Sequence, residues 1–216
     1  IGVNSHSVSD HTQGNWNGVI GKMELRAGPE MWLDDVQVYP DLKAKTAHVK
    51  ITLRSNRKGS SGWVAVSARS FNTKVTDVVP PVKRYVKIPD GLAEITVDLP
   101  MGSKMQTWDE FNPALYRLSA TIKGIDGNDT RDLTFGMHEF KADGRSFINN
   151  GKPVFLRGTV NNCEFPLTGY PPTDETSWDR IFKICRAHGL NHMRFHSWCP
   201  PEAAFAAADK NGFYLH

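Results

Sequence analysis

The sequence predicts a mainly β chain: an immunoglobulin-like antiparallel β-sandwich over residues 31–137, then the first β/α units of a truncated (β/α)8 barrel over 138–216. Three observations carry this expectation. Apolar and polar residues alternate in short runs, tight-turn signals separate the runs, and after Gly136 the texture changes to short apolar segments alternating with helical repeats.

The alternation is clearest at Ala47, Val49, Ile51 and Leu53, with His48, Lys50, Thr52 and Arg54 between them. It recurs at Val64, Val66 and Ala68, at Ile95, Val97 and Leu99, and at Tyr116, Leu118, Ala120 and Ile122. A period of two puts one face of each strand on a core and the other in water. Lys58-Gly59-Ser60-Ser61-Gly62, Pro89-Asp90-Gly91 and Asp126-Gly127-Asn128-Asp129 read as the turns between them. Short strands at this spacing fit a sandwich.

Beyond Gly136, Pro153-Val154-Phe155-Leu156-Arg157-Gly158 reads as a strand buried on both faces. Trp178, Ile181, Phe182 and Cys185 then form one stripe of a 3.6-residue repeat, with Thr173 or Asp174 as cap and Gly189 as stop. Leu190 to Phe195 is a second strand, and Pro201 opens an alanine-rich helix that Gly212 closes. Phe213-Tyr214-Leu215-His216 starts a third strand. This β-α-β-α-β order is that of a parallel sheet wrapped by helices. A (β/α)8 barrel needs about 250 residues, and fewer than a hundred follow position 137. At most three of its strands are expected here.

Composition narrows the function classes. Hydrophobic residues at 39% and aromatic residues at 10% can build a core, which excludes a disordered chain. No apolar run approaches the roughly 20 residues of a membrane span, so no membrane partner is expected. The formal charge of +3 is spread along the chain, with only Arg54–Lys58 and Val82–Arg84 locally basic, and this excludes a dense nucleic-acid footprint. Cys163, Cys185 and Cys199 have no paired spacing and read as isolated thiols. His188, His192 and His196 recur every four residues, but Gly189 breaks the helix between the first two. Within a strand four residues span roughly 13 Å, too far for His192 and His196 to share an ion, so no metal and no cofactor are expected. The start, Ile1-Gly2-Val3-Asn4, has neither a basic nor an apolar leader region and reads as a cut inside a longer chain.

Three stretches resemble glycoside hydrolase family 2, the family of β-galactosidases, β-glucuronidases and β-mannosidases. Gly14-Asn15-Trp16-Asn17-Gly18 through Leu25 is similar to the end of its jelly-roll sugar-binding domain, which assigns residues 1–30 to that domain's tail. Thr107-Trp108-Asp109-Glu110-Phe111-Asn112-Pro113-Ala114-Leu115-Tyr116 is similar to a signature late in its immunoglobulin-like domain. The most specific stretch runs from Phe135-Gly136-Met137-His138-Glu139-Phe140 through Asn150-Gly151-Lys152-Pro153 to Arg157-Gly158. It continues to Pro166-Leu167, Gly169 and Asn191-His192-Met193-Arg194-Phe195-His196-Ser197. In the family it leads into the first two strands of the catalytic barrel.

The resemblance implies part of a retaining, exo-acting hydrolase of O-glycosidic bonds in oligo- or polysaccharides, with a carbohydrate substrate as partner, export to the periplasm or outside the cell, and a homo-oligomer possible for the full-length enzyme. It also implies two catalytic glutamates beyond this chain, near the ends of the fourth and seventh barrel strands, so no catalytic residue is assigned here. Candidate substrate-binding residues follow from the rule that strand C-termini line such sites. They are Arg157, Asn162 and Glu164 after strand one, and Arg194, His196 and Trp198 around the end of strand two. Arg and His can donate to sugar hydroxyls, and a Trp face can stack on a pyranose. The family places a substrate-contacting His just after the Arg of strand two, for which His196 is the nearest candidate. Asn162 stands where the galactosidases carry a His. Structural readings remain open beside these: Arg157 as a partner in the barrel floor, Trp198 as cover for a helix. The alternative for the whole chain is a non-catalytic β-sandwich, carbohydrate-binding or spacer, with Trp63 and Trp108 either exposed or core.

Overall fold

The structure, a computed structural model, describes residue 19, residues 21–196 and residues 198–216. His6, Asp10, His11 and most of residues 1–30, where the sugar-binding tail is expected, lie outside the described residues. By contacts the chain divides into two compact units, one holding 25–109 and 114–153, the other holding 110–113 and 154–216.

The first unit is a sandwich of two antiparallel sheets. One has the order β1-β2-β5, from β1 (Met31–Asp41), β2 (Thr46–Ser55) and β5 (Leu92–Pro100). The other has the order β4-β3-β6-β7, from β3 (Ser60–Ser70), β4 (Val78–Ile88), β6 (Tyr116–Gly124) and β7 (Gly127–Phe135). The alternating residues of the sequence meet between them. Val49, Ile51 and Leu53 from one sheet and Val64, Val66, Leu118 and Ile122 from the other have no exposed surface. Each such side chain stabilises the fold by about 1.5–3 kcal/mol. The β6–β7 hairpin turns at Ile125-Asp126, slightly ahead of the expected Asp126–Asp129.

Two details seal this core. The inward positions of β7 carry charges, and Asp129 Oδ2 accepts from the Leu33 backbone N–H at 2.9 Å while Arg131 Nε donates to the Leu33 carbonyl at 3.1 Å. They grip β1 beside its bulge between Leu33 and Asp35. Tyr116, fully buried, donates its hydroxyl to Asp77 Oδ2 and accepts the Gln106 N–H, both at 2.8 Å. Burial, then the Asp77 carboxylate, pushes this phenol above the usual tyrosine range. Of the two undecided tryptophans, Trp108 is core, whereas Trp63 is 55% exposed.

The same unit continues into a small antiparallel meander, β8 (Phe140–Asp143), β9 (Ser146–Asn149) and β10 (Lys152–Val154), ordered β10-β9-β8. Asn150 and Gly151, with φ of 53° and 76°, make the tight turn between the last two strands.

The second unit is a parallel sheet, β11 (Gly158–Asn161), β12 (His192–Phe195) and β13 (Tyr214–Leu215), in sequential order. Helix α1 (Glu175–Ala187) joins the first pair and α2 (Glu202–Asn211) the second. Asp174 caps α1, accepting the Ser177 N–H at 2.8 Å. Pro201 opens α2, and Gly212, left-handed at φ 61°, closes it. A Cβ on Gly212 would lie 2.7 Å from the Glu110 carbonyl oxygen, so only glycine fits there. Trp178 and Phe182 of α1 and Ala204, Ala207 and Ala208 of α2 share one buried cluster with Met193 and Phe195 of β12. Because side chains alternate across a strand, Arg194 stands on the other face, where it is exposed, as is its register neighbour Val160.

One expectation is corrected. The apolar run 153–158 is not a strand buried on both faces: β10 takes its first residues, Phe155 is 77% exposed, and the first parallel strand starts only at Gly158. The run mixes the end of a surface meander with a link to the sheet. Apolar content alone does not tell these from a buried strand.

Candidate functional site

Three groups at the carboxyl ends of β11 and β12 bond to Asn161. Its carbonyl accepts from the His196 backbone N–H at 3.0 Å and from the Trp198 indole Nε1 at 3.1 Å. Its side-chain Oδ1 accepts from the Cys163 N–H at 2.9 Å. This last bond holds Cys163 at φ 65°, unusual for a residue with a Cβ. The turn thereby sends Asn162 and Glu164 to the surface while Cys163 is buried. Burial pushes the Cys163 thiol up to about 11, which keeps it a neutral, unreactive group.

The structure brings Asn162, His196 and Trp198 to this end of the sheet. His196 is half-buried, and Trp198 packs edge-on against Phe195 at 5.1 Å and Phe165 at 5.8 Å. Those contacts make Trp198 a wall of the helix-side core as well as a rim of the site. Arg194 lies one step inside the strand, on the sheet face away from the helices. Glu164 is exposed in the loop that leads to α1.

Arg157 is at the opposite end. Expected to finish strand one, it precedes β11 and so stands at the amino end of the sheet. There its Nε donates to the Gly189 carbonyl at 2.8 Å and its Nη2 reaches Glu110 Oε1 at 3.3 Å. Asn191 completes the cluster, donating from Nδ2 to Glu110 Oε2 at 2.6 Å and accepting the Arg157 N–H at 2.7 Å. Glu110 is 8% exposed and Asn191 1%, while the Arg157 side chain stays half-exposed, and the hydrogen-bonded cluster of the three ties together loops at this end of the sheet.

No residue type marks Asn161 as the bonding centre, since its role rests on a carbonyl and a short Asx-type turn. Acid chemistry is sparse here. The loop after β11 carries Glu164 and Asp174, and Asp174 is committed to capping α1. A retaining pair needs two carboxyl groups about 5–5.5 Å apart.

Comparison with known proteins places this architecture. Residues 32–138 match the family model "Glycosyl hydrolases family 2". A β-galactosidase of Photobacterium profundum is 21% identical over 211 residues, covering 90% of this chain and 20% of the relative. Among solved structures, a glycosyl hydrolase family 2 member from Bacteroides cellulosilyticus superposes with a TM-score of 0.70 at 21% identity, over 86% of this chain and 24% of that one. A β-glucuronidase of Parabacteroides merdae gives 0.67 at 20% identity, over 87% and 23%. The chain spans about a fifth of the length of the curated relative. With the sandwich covered by the family model and nearly the whole chain aligned to relatives, this protein belongs to glycosyl hydrolases family 2.

Proposed function

We propose that the chain is part of a retaining, exo-acting glycoside hydrolase that cleaves O-glycosidic bonds of oligo- or polysaccharides, and that it supplies one wall of the sugar site but neither catalytic glutamate. The observation that carries this is the order of the two units: a family 2 sandwich followed by parallel β-α-β-α-β with polar residues gathered at the strand ends. In this reading residues 31–137 are an immunoglobulin-like domain. Its seven strands split three and four, and Tyr116 at the start of β6 bonds back to upstream backbone, as the tyrosine corner of such sandwiches does. Residues 138–216 begin a (β/α)8 barrel, and residues 1–30 are the tail of a jelly-roll sugar-binding domain.

The one-sided burial of the parallel sheet supports the barrel assignment. Helices cover one face, and Arg194 and Val160 occupy the other, which in a closed barrel is the interior. Asn162, Glu164, Arg194, His196 and Trp198 then approach the sugar from the rim and the interior. Arg157, at the floor, holds the sheet in place instead. A donor lost at such a site typically costs about 2.7–4 kcal/mol in transition-state stabilisation. The substrate is a carbohydrate, and the longer enzyme is exported and self-associates.

Two assays on nitrophenyl β-glycosides test it. The 216-residue chain by itself should show no turnover above a heat-killed control, and a longer protein containing it should hydrolyse at least one of the galactoside, glucuronide or galacturonide with retention of configuration. Turnover by the short chain, or inversion by the long one, would overturn the proposal.

A further inference from the structure

The sandwich turns two faces outward, and they treat charge differently. On the outer face of the β1-β2-β5 sheet each cation has an answering acid: His48 lies 2.7 Å from Asp98, Lys50 3.5 Å from Glu94 and Arg54 2.8 Å from Asp34. On the outer face of the β4-β3-β6-β7 sheet stand Arg69, Lys83, Lys87, Arg117 and Lys123, all exposed. Among the described residues none of the five enters an ion pair. Asp132 is the one acid these strands present on that side. Arg69 and Arg117 are direct cross-strand partners, a like-charge placement that destabilises a sheet. Among the described residues no ion pair offsets that repulsion.

Aromatic surface lies on the same face. Trp63, directly opposite both Tyr85 and Lys123, is 55% exposed, and Tyr85 is 48% exposed. The two rings meet edge to face at 5.4 Å, and the Tyr85 hydroxyl donates to Ser61 Oγ at 2.8 Å, which fixes the pair. At the other end a groove of about 750 Å³ is lined by Arg69, Phe71, Val78, Pro80, Arg117 and Asp132. There the Arg117 guanidinium lies over the Phe71 ring, 5.5 Å from its centre. From Trp63 to Arg69 along β3 is about 20 Å, several sugar residues of an extended chain.

We propose that this face is a non-catalytic binding surface for an anionic polysaccharide, in which Trp63 stacks on a pyranose ring while Lys83, Lys87, Lys123, Arg69 and Arg117 match carboxylates or sulfates along the chain. Charge complementarity selects a polyanion. A single fixed aromatic pair, rather than a row of stacking rings, favours a sugar chain over a single-stranded nucleic acid. The choice of polysaccharide also rests on the glycoside hydrolase reading. The surface lies on the sandwich and uses none of the residues proposed for the sugar site.

The test is retardation of the 216-residue chain in native gels containing polygalacturonate, dextran sulfate, neutral galactan or a short single-stranded DNA. Polygalacturonate or dextran sulfate should retard it, the two arms separating carboxylate from sulfate recognition, and galactan should not. Trp63→Ala and the double variant Arg69→Gln/Arg117→Gln should each weaken retention at least about tenfold. The double variant should melt at or above the parent temperature, because it removes a like-charge pair, and this separates lost binding from lost folding. Retardation by DNA that equals that by polysaccharide and ignores Trp63→Ala would overturn the proposal, as would no retardation by either anionic polysaccharide. These gels read binding without turnover, so their failure leaves the hydrolase assays of the longer protein standing as a separate result.

Discussion

The sandwich and the parallel sheet bury their apolar surface by different means. In the sandwich two sheets close on each other, and the core draws on all seven strands, from Met31 to Phe135. In the α/β unit two helices cover one face of three short strands, and the eight side chains of its buried cluster all belong to that one layer. Parallel sheets are ordinarily covered on both faces. The contrast teaches that apolar burial in the sandwich is shared by two facing sheets, whereas among the described residues of the α/β unit it rests on helices packed against one face of the sheet.

The largest consequence is in local stability. Limited proteolysis should cut within 154–216 first and leave the sandwich as the resistant core. Survival of the α/β unit past loss of the sandwich would reverse the comparison. Next come core truncations. Leu118→Ala in the sandwich and Phe182→Ala in α1 should cost about 2–5 and 3–5 kcal/mol, each on its own unit's denaturation transition. A single shared transition responding to both would show one cooperative body instead of two.

A sharper probe is Glu110. It precedes β6 in sequence, yet its partners Arg157 and Asn191 lie in the α/β unit. Glu110→Gln should destabilise that unit by about 1.5–3 kcal/mol, the range for hydrogen bonds to a charged group, while the sandwich transition stays put. Movement of the sandwich midpoint alone would refute the assignment. The smallest expected effect is at the α1 cap. The Ser177 backbone N–H holds the Asp174 carboxyl below the usual aspartate range. The cap's contribution is therefore complete above the ordinary Asp value of about 3.9 and fades as pH falls through the lower folded value. Circular dichroism of Asp174→Asn should lose that acid-side dependence in the α/β signal, and an unchanged acid titration would remove the cap from the account.

Much of this fold was legible because its rules are local. Alternation found β2, β3, β5 and β6, and capping chemistry found α1 and α2, including Asp174, Gly189, Pro201 and Gly212. β7 hides because Asp129 and Arg131 occupy its inward positions, where they serve the Leu33 backbone instead of the core. β11 hides for the opposite reason: Gly158-Thr159-Val160-Asn161 is small, mixed and largely exposed, while the apolar residues just before it form no part of the sheet. The location of His196 and Trp198, just past the end of β12, is legible from the strand that precedes them. The bonding role of Asn161 is not legible, because a carbonyl's partners leave no trace in residue type, and a strand read over 153–158 puts Arg157 at its carboxyl end, whereas β11 begins after it.

The segment 110–113 has a further consequence for how this architecture can be taken apart. It belongs to the α/β unit yet is spelled between β5 and β6. No single cut of the polypeptide therefore releases both units whole. Division after Pro153 leaves the Arg157 guanidinium and the Asn191 amide facing an emptied position. A graft of the sandwich from another parent must bring a compatible residue at 110, or the recipient sheet inherits an orphaned cation. Shuffling at domain junctions would meet an incompatibility far from the junction itself, carried by four residues in the middle of the neighbouring module.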